Sequence, residues 1–416
     1  MPVKLQDISM RLSILAVAAV LSSSLVAQET VTVTTGAGNA TQTFYSLQNG
    51  VIDSRPLAEW DLAFEITGFT ASILVNTAKG IEAYKTPYAV AEWMDVDTIG
   101  MMSNWTRIHN SDTSWSHGAL NQGLTENEFD LGWGVYNIVT HQVAGDSIFV
   151  LKLANNEWKK LRIDGLGANT YTITWADLDG ANEQTGTLSK GPYMDKNFGY
   201  YSLENNTALD REPATADWDM LFTKYVAMIP TAYPVTGVLL NKSRPALRVE
   251  GVTPDMAGWQ DGPYTTEINT IGYDWKTFNM QTFQYEYNEE LTFFVTDNAG
   301  NVWKIYFTEF GGSTTGDITF VQELVSATSV QENASAEFTL FPNPVTTGQL
   351  QMITASSTNA EVTIHDMSGR TVAQQRLSSS TEPVVRTIDV SSLNAGIYMI
   401  RLNDAGATFS RSFVIE

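Results

Sequence analysis

A chain of 416 residues exceeds one ordinary hydrophobic core and predicts two or three domains. Its 43% hydrophobic content argues against wholesale disorder, and a formal charge of −22 argues against nucleic-acid binding and adsorption to anionic membranes. With no cysteine, the chain has no thiol nucleophile, no thiolate metal site and no disulfide scaffold. The first predicted element is a signal peptide over residues 1–27. Lys4 and Arg11 flank its start, Leu12 to Leu21 is apolar, and Ser22, Ser23 and Ser24 lead to Val26-Ala27-Gln28. Met10 is an alternative start, and Leu25 fits poorly three residues before a cut after Ala27. The apolar run is too short to span a bilayer, and no later segment reads as transmembrane.

An internal repeat follows. Phe44-Tyr45-Ser46-Leu47-Gln48-Asn49 recurs as Tyr200-Tyr201-Ser202-Leu203-Glu204-Asn205, and Trp60-Asp61-Leu62-Ala63-Phe64 recurs as Trp218-Asp219-Met220-Leu221-Phe222. Asn156-Glu157-Trp158-Lys159 returns as Asn301-Val302-Trp303-Lys304, each after an apolar run. Three landmarks in one order imply duplication. Residues 28–188 and 189–325 are therefore expected to be two tandem β-domains. Trp60 and Trp218 are expected at matching buried places beside Phe64 and Phe222.

Period-two alternation marks the strands. Trp60, Leu62, Phe64 and Ile66 alternate with Asp61, Ala63 and Glu65, and Trp303, Ile305 and Phe307 alternate with their neighbours. Asp297-Asn298-Ala299-Gly300-Asn301 reads as a hairpin turn. No long 3.6-residue pattern occurs outside the signal, so the fold class is all-β. Residues 326–337 have linker composition. Residues 338–416 form a compact module with strands at Val362-Thr363-Ile364, Ile397 to Leu402 and Phe409 to Ile415; the last two flank Asp404-Ala405-Gly406. That pattern suits a small Ig-like β-sandwich.

The C-terminal module resembles the type A C-terminal sorting domain of type IX secretion substrates, found in Bacteroidota. The matching residues are Phe341-Pro342-Asn343-Pro344, Asp366-Met367-Ser368-Gly369-Arg370 and Leu393-Asn394-Ala395-Gly396-Ile397-Tyr398, with Phe413-Val414-Ile415-Glu416 as final strand. The resemblance implies export, the type IX secretion machinery as partner, and a secreted or outer-membrane surface-attached protein. The repeated part, residues 40–325, is similar to the HmuY-like haem-binding family in its Tyr-Ser-Leu start, Trp-Asp strand and late Trp-Lys strand. These are framework residues and speak to fold more than to ligand.

In the HmuY-like family haem iron lies between two axial side chains, His in some members and Met in others. The resemblance thereby implies His109 and His141 as haem ligands, with Met94, Met101 and Met102 as alternatives. His141 is expected on one strand face with Val135, Val139 and Val143, and Trp93, Trp105 and Trp115 are nearby in sequence. A His on such a face is also ordinarily a hydrogen-bonded core residue, and the polar stretch around His109 and His117 reads as a loop. The second repeat has no His and would need Met228, Met256, Met280 or a Tyr. His365 alternates away from Val362 and Ile364 and is expected to face solvent. Asp177-Leu178-Asp179-Gly180 lacks the ligand spacing of a calcium loop and reads as a turn. Asn104-Trp105-Thr106, Asn205-Asn206-Thr207, Asn241-Lys242-Ser243 and Asn333-Ala334-Ser335 fit a glycosylation pattern that carries little weight.

Enzyme signatures are missing: there is no nucleophile elbow, zinc helix or phosphate loop. The sequence therefore predicts an exported, non-enzymatic ligand-binding protein, with haem or another porphyrin as the ligand. The alternatives are an adhesin or structural surface protein whose exposed aromatics contact a protein or glycan, and a secreted hydrolase of unrecognised type.

Overall fold

The computed structural model describes residues 28–326 and 338–415, apart from 69, 125, 126, 128, 357–359, 367, 368, 405 and 406. The signal peptide, most of the linker, Asn333-Ala334-Ser335, Met367-Ser368 of the sorting motif, Ala405-Gly406 of the last hairpin and Glu416 lie outside the described residues. The chain divides near residue 327 into two compact units. Both are all-β, as the alternation implies, and the described helices are single turns or little more.

The first unit holds two large cores. In one, Leu62, Phe64, Ile73, Val75, Tyr201 and Leu203 meet Phe149, Leu151, Leu161, Ile163, Tyr171 and Ile173. The former come from a four-stranded sheet ordered Thr207–Leu209, Phe198–Ser202, Leu62–Glu65, Ile73–Val75; the latter come from an eight-stranded sheet. In the other, Tyr45, Leu47, Met220, Phe222, Val238 and Leu240 meet Val33, Phe293, Val295, Ile305, Phe307 and Phe320. There a four-stranded sheet ordered Ala232–Leu240, Met220–Met228, Thr41–Ser46, Gly50–Pro56 faces a five-stranded one. Two sandwiches result, each closed by alternate residues of its strands. Full burial of a side chain such as Phe64 or Phe222 contributes about 1.5–3 kcal/mol.

The repeated motifs explain how the sandwiches are built. Asp61 Oδ2 accepts from the Leu203 N–H at 2.7 Å, and Asp219 Oδ2 accepts from the Leu47 N–H at 2.9 Å. Ser46 and Ser202 hydroxyls each cap the N–H of the Asn three residues on. Asn76 and Asn241 side chains donate to the Trp60 and Trp218 carbonyls at 2.9 and 2.7 Å. Each Tyr-Ser-Leu hairpin thus docks on the Trp-Asp strand of the other sequence copy. Phe198–Ser202 pairs with Leu62–Glu65, and Thr41–Ser46 pairs with Met220–Met228. Glu29–Thr34 runs antiparallel to Asp317–Ser326, so the second sandwich is assembled from both ends of the unit.

Trp60 and Trp218 occupy matching buried places, but not beside Phe64 and Phe222. Trp60 packs with Ala63 and Leu74 and meets Tyr200 edge-on at 5.1 Å; Trp218 packs with Leu221 and meets Phe44 edge-on at 5.1 Å. Each Trp caps a single-turn helix just before its strand begins, which turns it to the sheet's other face. Those outer faces form the seam between the sandwiches, where Trp115 touches three small clusters and donates to the Leu240 carbonyl at 2.8 Å. Behind it lies a buried polar network. Trp60 Nε1 and Arg211 Nη1 both donate to Gln42 Oε1, and Asn197 donates to Asn241 Oδ1 at 2.7 Å. Glu212 accepts from the Tyr200 hydroxyl at 2.9 Å and from the Asn197 N–H at 3.1 Å. Burial pushes Glu212 up to about 7 in spite of these bonds.

The second unit packs a three-stranded sheet and a four-stranded sheet around Phe338, Leu350, Val362, Ile364, Ile400 and Phe413. Asp366 accepts from the Arg370 N–H at 3.1 Å and pairs with its guanidinium, closing the turn of the sorting motif. Tyr398 of the Gly-Ile-Tyr motif donates to the Asn394 carbonyl at 2.8 Å. His365 is half-buried beside Thr363 and Thr371, away from the core face of Val362 and Ile364.

Candidate functional site

The proposed haem ligands fall on separate elements. His109 follows the strand Thr106–Ile108 and is half-buried, with its carbonyl accepting from the Gln122 amide. Its Nδ1 is buried without a hydrogen-bond partner, and burial, then Arg107, hold the imidazole below its ordinary pKa. His141 does not lie on a strand face with Val135, Val139 and Val143. It ends the turn between Gly134–Asn137 and Gln142–Gly145, exposed, at φ 55°. Val139 beside it is 83% exposed. The chain reverses where the alternation would continue, because Asn137 Oδ1 captures the N–H groups of Val139 and Thr140. Met94 is exposed, Met101 is buried in the single turn Met101–Asn104, and the Met102 side chain lies outside the described residues. His117 is exposed in its loop.

Axial ligation needs two free lone pairs facing one slot. His141 Nδ1 lies 2.7 Å from the Tyr136 hydroxyl at a hairpin tip, and no hydrogen bond or ring contact joins the two His among the described residues. Neither lines the three cavities below. The Tyr136 hydroxyl orients the His141 ring through Nδ1, and His109 stands on a separate element. Asp177 is taken up by Lys159 and Asn182, which makes its segment a turn. No cluster of three His, Asp or Glu among the described residues is placed to hold a metal ion.

The hairpin carrying His141 has a twin. Tyr136-Asn137-Ile138-Val139-Thr140-His141-Gln142 matches Phe278-Asn279-Met280-Gln281-Thr282-Phe283-Gln284. Asn279 Oδ1 accepts from the N–H groups of Gln281 and Thr282, as Asn137 does from Val139 and Thr140. Phe283 and His141 both donate N–H to that Asn's carbonyl at 2.8 Å, with φ 56° and 55°. The rings pair alike: Phe278 with Phe283 at 6.5 Å, Tyr136 with His141 at 6.3 Å. The repeated Asn-x-x-Thr-x-Gln is a fourth duplication landmark in the sequence. A left-handed backbone at a residue with a side chain costs about 1–2 kcal/mol relative to glycine.

Around Phe283 the second sandwich opens a groove of about 530 Å³, lined by Phe278, Phe283, Tyr285, Tyr287, Phe310 and the turn Gly311-Gly312-Ser313-Thr314. Phe283 is 70% exposed and Phe278 40%. Edge-on contacts run inward from Phe278 to Tyr285 at 5.1 Å, to Phe310 at 4.8 Å and to Trp275 at 6.1 Å, where Trp275 stacks on Phe307. Exposed rings are thereby anchored to core rings. Lys276 Nζ sits 4.0 Å from the Trp275 ring centre and 4.5 Å from that of Phe310, and donates to the Thr236 and Tyr273 carbonyls. Desolvation pulls its pKa down to about 7. Tyr287 Oη accepts from the Phe310 N–H at 2.9 Å, while Ser313 and Thr314 expose hydroxyls at the rim.

Two other cavities are less suited to a ligand. One at the seam, near Trp60, Trp115 and Tyr200, holds about 70 Å³, well under the ~300–1,000 Å³ of ordinary ligand sites. A polar cleft of about 390 Å³ contains Arg248, but Asp274 takes that guanidinium with two bonds of 2.8 and 3.0 Å.

Residues 339–416 match the secretion system C-terminal sorting domain family. No curated protein matches the chain. Among solved structures, the trimeric ectodomain of the C. elegans fusion protein EFF-1 is 8% identical, with 96% of this chain and 95% of that one covered and a TM-score of 0.16. The BSP domain of a biofilm associated protein is 12% identical, with 95% and 67% covered and a TM-score of 0.16. Both scores are far below that of a shared fold. The sorting domain makes this a secreted or outer-membrane surface-attached protein handled by the type IX secretion machinery.

Proposed function

We propose that the exported protein is a non-enzymatic, adhesin-type binding protein whose recognition surface is the aromatic groove of the second sandwich. The observation that carries this is Phe283. A large ring there is mostly exposed, so it adds little to the core, and it occupies a left-handed position that Gly or Asn would hold with less strain. Such a residue is best accounted for by contact with something outside the chain. The rigid sandwich behind it keeps the groove formed before binding, which lowers the entropic cost of association.

The test compares cells displaying wild-type protein with cells displaying Phe283→Asn, in adhesion to partner cells and matrix. At least a tenfold loss is expected at equal surface display, and unchanged adhesion would reject the groove. Haemin titration separates the porphyrin reading: a Soret shift lost in His109→Ala or His141→Ala would restore it. Deleting Phe338 onward is expected to trap the protein in the periplasm; normal surface levels of the truncated chain would contradict the export route.

A further inference from the structure

We infer that the groove takes a neutral glycan chain; this rests on the reading of the groove as the recognition surface. A sugar ring has an apolar C–H face and a hydroxylated edge. A site for it needs aromatic rings interleaved with hydroxyls and amides, on a support that does not move. The groove offers Phe283, Phe278 and Tyr285 as rings, the exposed Gln284 amide beside them, and the Ser313 and Thr314 hydroxyls on the opposite rim. The edge-on series into Trp275 fixes the rings in place.

Charge selects among polymers. The chain as a whole carries −22, and Glu286, Glu289 and Glu290 are exposed on and just beyond the strand that carries Tyr285 and Tyr287. The cation packed against the groove's inner wall, Lys276, is committed to two carbonyls behind Phe310. Among the described residues none that lines the groove is charged, so a uronate- or sulfate-bearing chain would find no cation there while approaching a protein of net charge −22, and the occupant is uncharged. The twin hairpin gives an internal contrast: at the Phe283 position it carries His141, bonded to Tyr136.

The experiment is affinity electrophoresis of the full-length secreted protein through gels holding mannan, a β-1,3-glucan or xyloglucan, beside gels holding polygalacturonate or hyaluronan. A peptide array is probed in parallel. Retardation by at least one neutral polysaccharide and by neither polyanion is expected. Phe283→Asn and Phe278→Ala should each weaken it at least tenfold, while His141→Asn leaves it unchanged. Asn suits the left-handed backbone, so Phe283→Asn keeps its fold, which the melting curve verifies. Retardation by no neutral polysaccharide overturns the inference, as does retardation that survives both Phe variants or is matched by the polyanions. If the array binds in a Phe283-dependent way while no glycan does, the glycan inference falls and the recognition reading stands. If nothing binds through Phe283, both fall.

Discussion

The hairpins Tyr136–Gln142 and Phe278–Gln284 share a backbone and differ in chemistry. Both turns are made by an Asn side chain that captures two N–H groups, and both end on a non-glycine residue with positive φ. In the first, the ring at that place finds a polar partner in Tyr136; in the second, Phe283 meets the edge of Phe278 and is 70% exposed. The Asn therefore sets the turn, and the ring that follows is free to vary. Where it has become a second phenylalanine, an aromatic groove lies beside it. Lys276, which supports that groove from within, has Gly134 at the matching place in the first hairpin.

The equivalence of the two sandwiches is most exposed to test at the buried aspartates. Asp61 pairs with Lys79 at 2.8 Å and Asp219 with Arg244 at 3.0 Å, each while holding a hairpin N–H. Asp61→Ala and Asp219→Ala should each cost about 3–5 kcal/mol in denaturant unfolding, because each leaves a buried hairpin N–H unsatisfied and takes the nearest carboxylate from a largely buried cation, with Lys79 keeping Glu204 and Arg244 keeping Asn298. Trp60→Ala and Trp218→Ala should cost a similar 3–5 kcal/mol. A large cost in one copy and a negligible one in the other would break the equivalence.

A pH effect tests the seam. The folded pKa of Glu212 is raised from 4.5 to about 7, so the folded state binds more protons in that window. Its contribution is full below about pH 4.5 and is lost as pH rises through 7, with a slope of up to about 1.4 kcal/mol per pH unit. Glu212→Gln should flatten that slope; an unchanged profile would mean the carboxylate is not desolvated. Lys276 has the opposite sign. Its folded pKa is lowered from 10.5 to about 7, so stability is full above 10.5 and lost as pH falls through 7. Lys276→Met should remove this alkaline slope, with Gly134 contributing none in the first sandwich.

The smallest effect sharpens the hairpin comparison. Phe283→Gly should leave stability unchanged or raise it by up to about 1 kcal/mol, as relief of the left-handed backbone outweighs lost chain entropy. His141→Gly loses the Tyr136 bond as well and should come out near zero. Thermal melts of both variants measure the difference.

Much of this architecture was legible in the sequence. Alternation located the strands at Leu62–Glu65 and Val302–Phe310, and Asp297 to Asn301 is the expected turn, with Asp297 binding two N–H groups and Trp303 Nε1. The exchange of hairpins between copies was not legible. Asp61 reaches Leu203 and Asp219 reaches Leu47 across most of the unit, and the same motifs would serve if each docked within its own copy. His141 misled for a local reason. Val135, Val139 and Val143 keep an even spacing straight through a turn that contains no glycine and places Ile138 and Val139 in solvent. The left-handed Phe283 leaves no trace in hydrophobic periodicity, because an Asn side chain rather than a glycine makes the turn that precedes it.

One variant bears on the central claim more directly than any other. Phe283→Asn in the full-length secreted protein should be measured for both melting temperature and retardation by the neutral polysaccharide that binds wild type. The account predicts an unchanged or slightly raised melting temperature with at least a tenfold loss of binding, since the ring serves recognition and not the core. A lowered melting temperature with binding retained would contradict it, and would make Phe283 a structural residue.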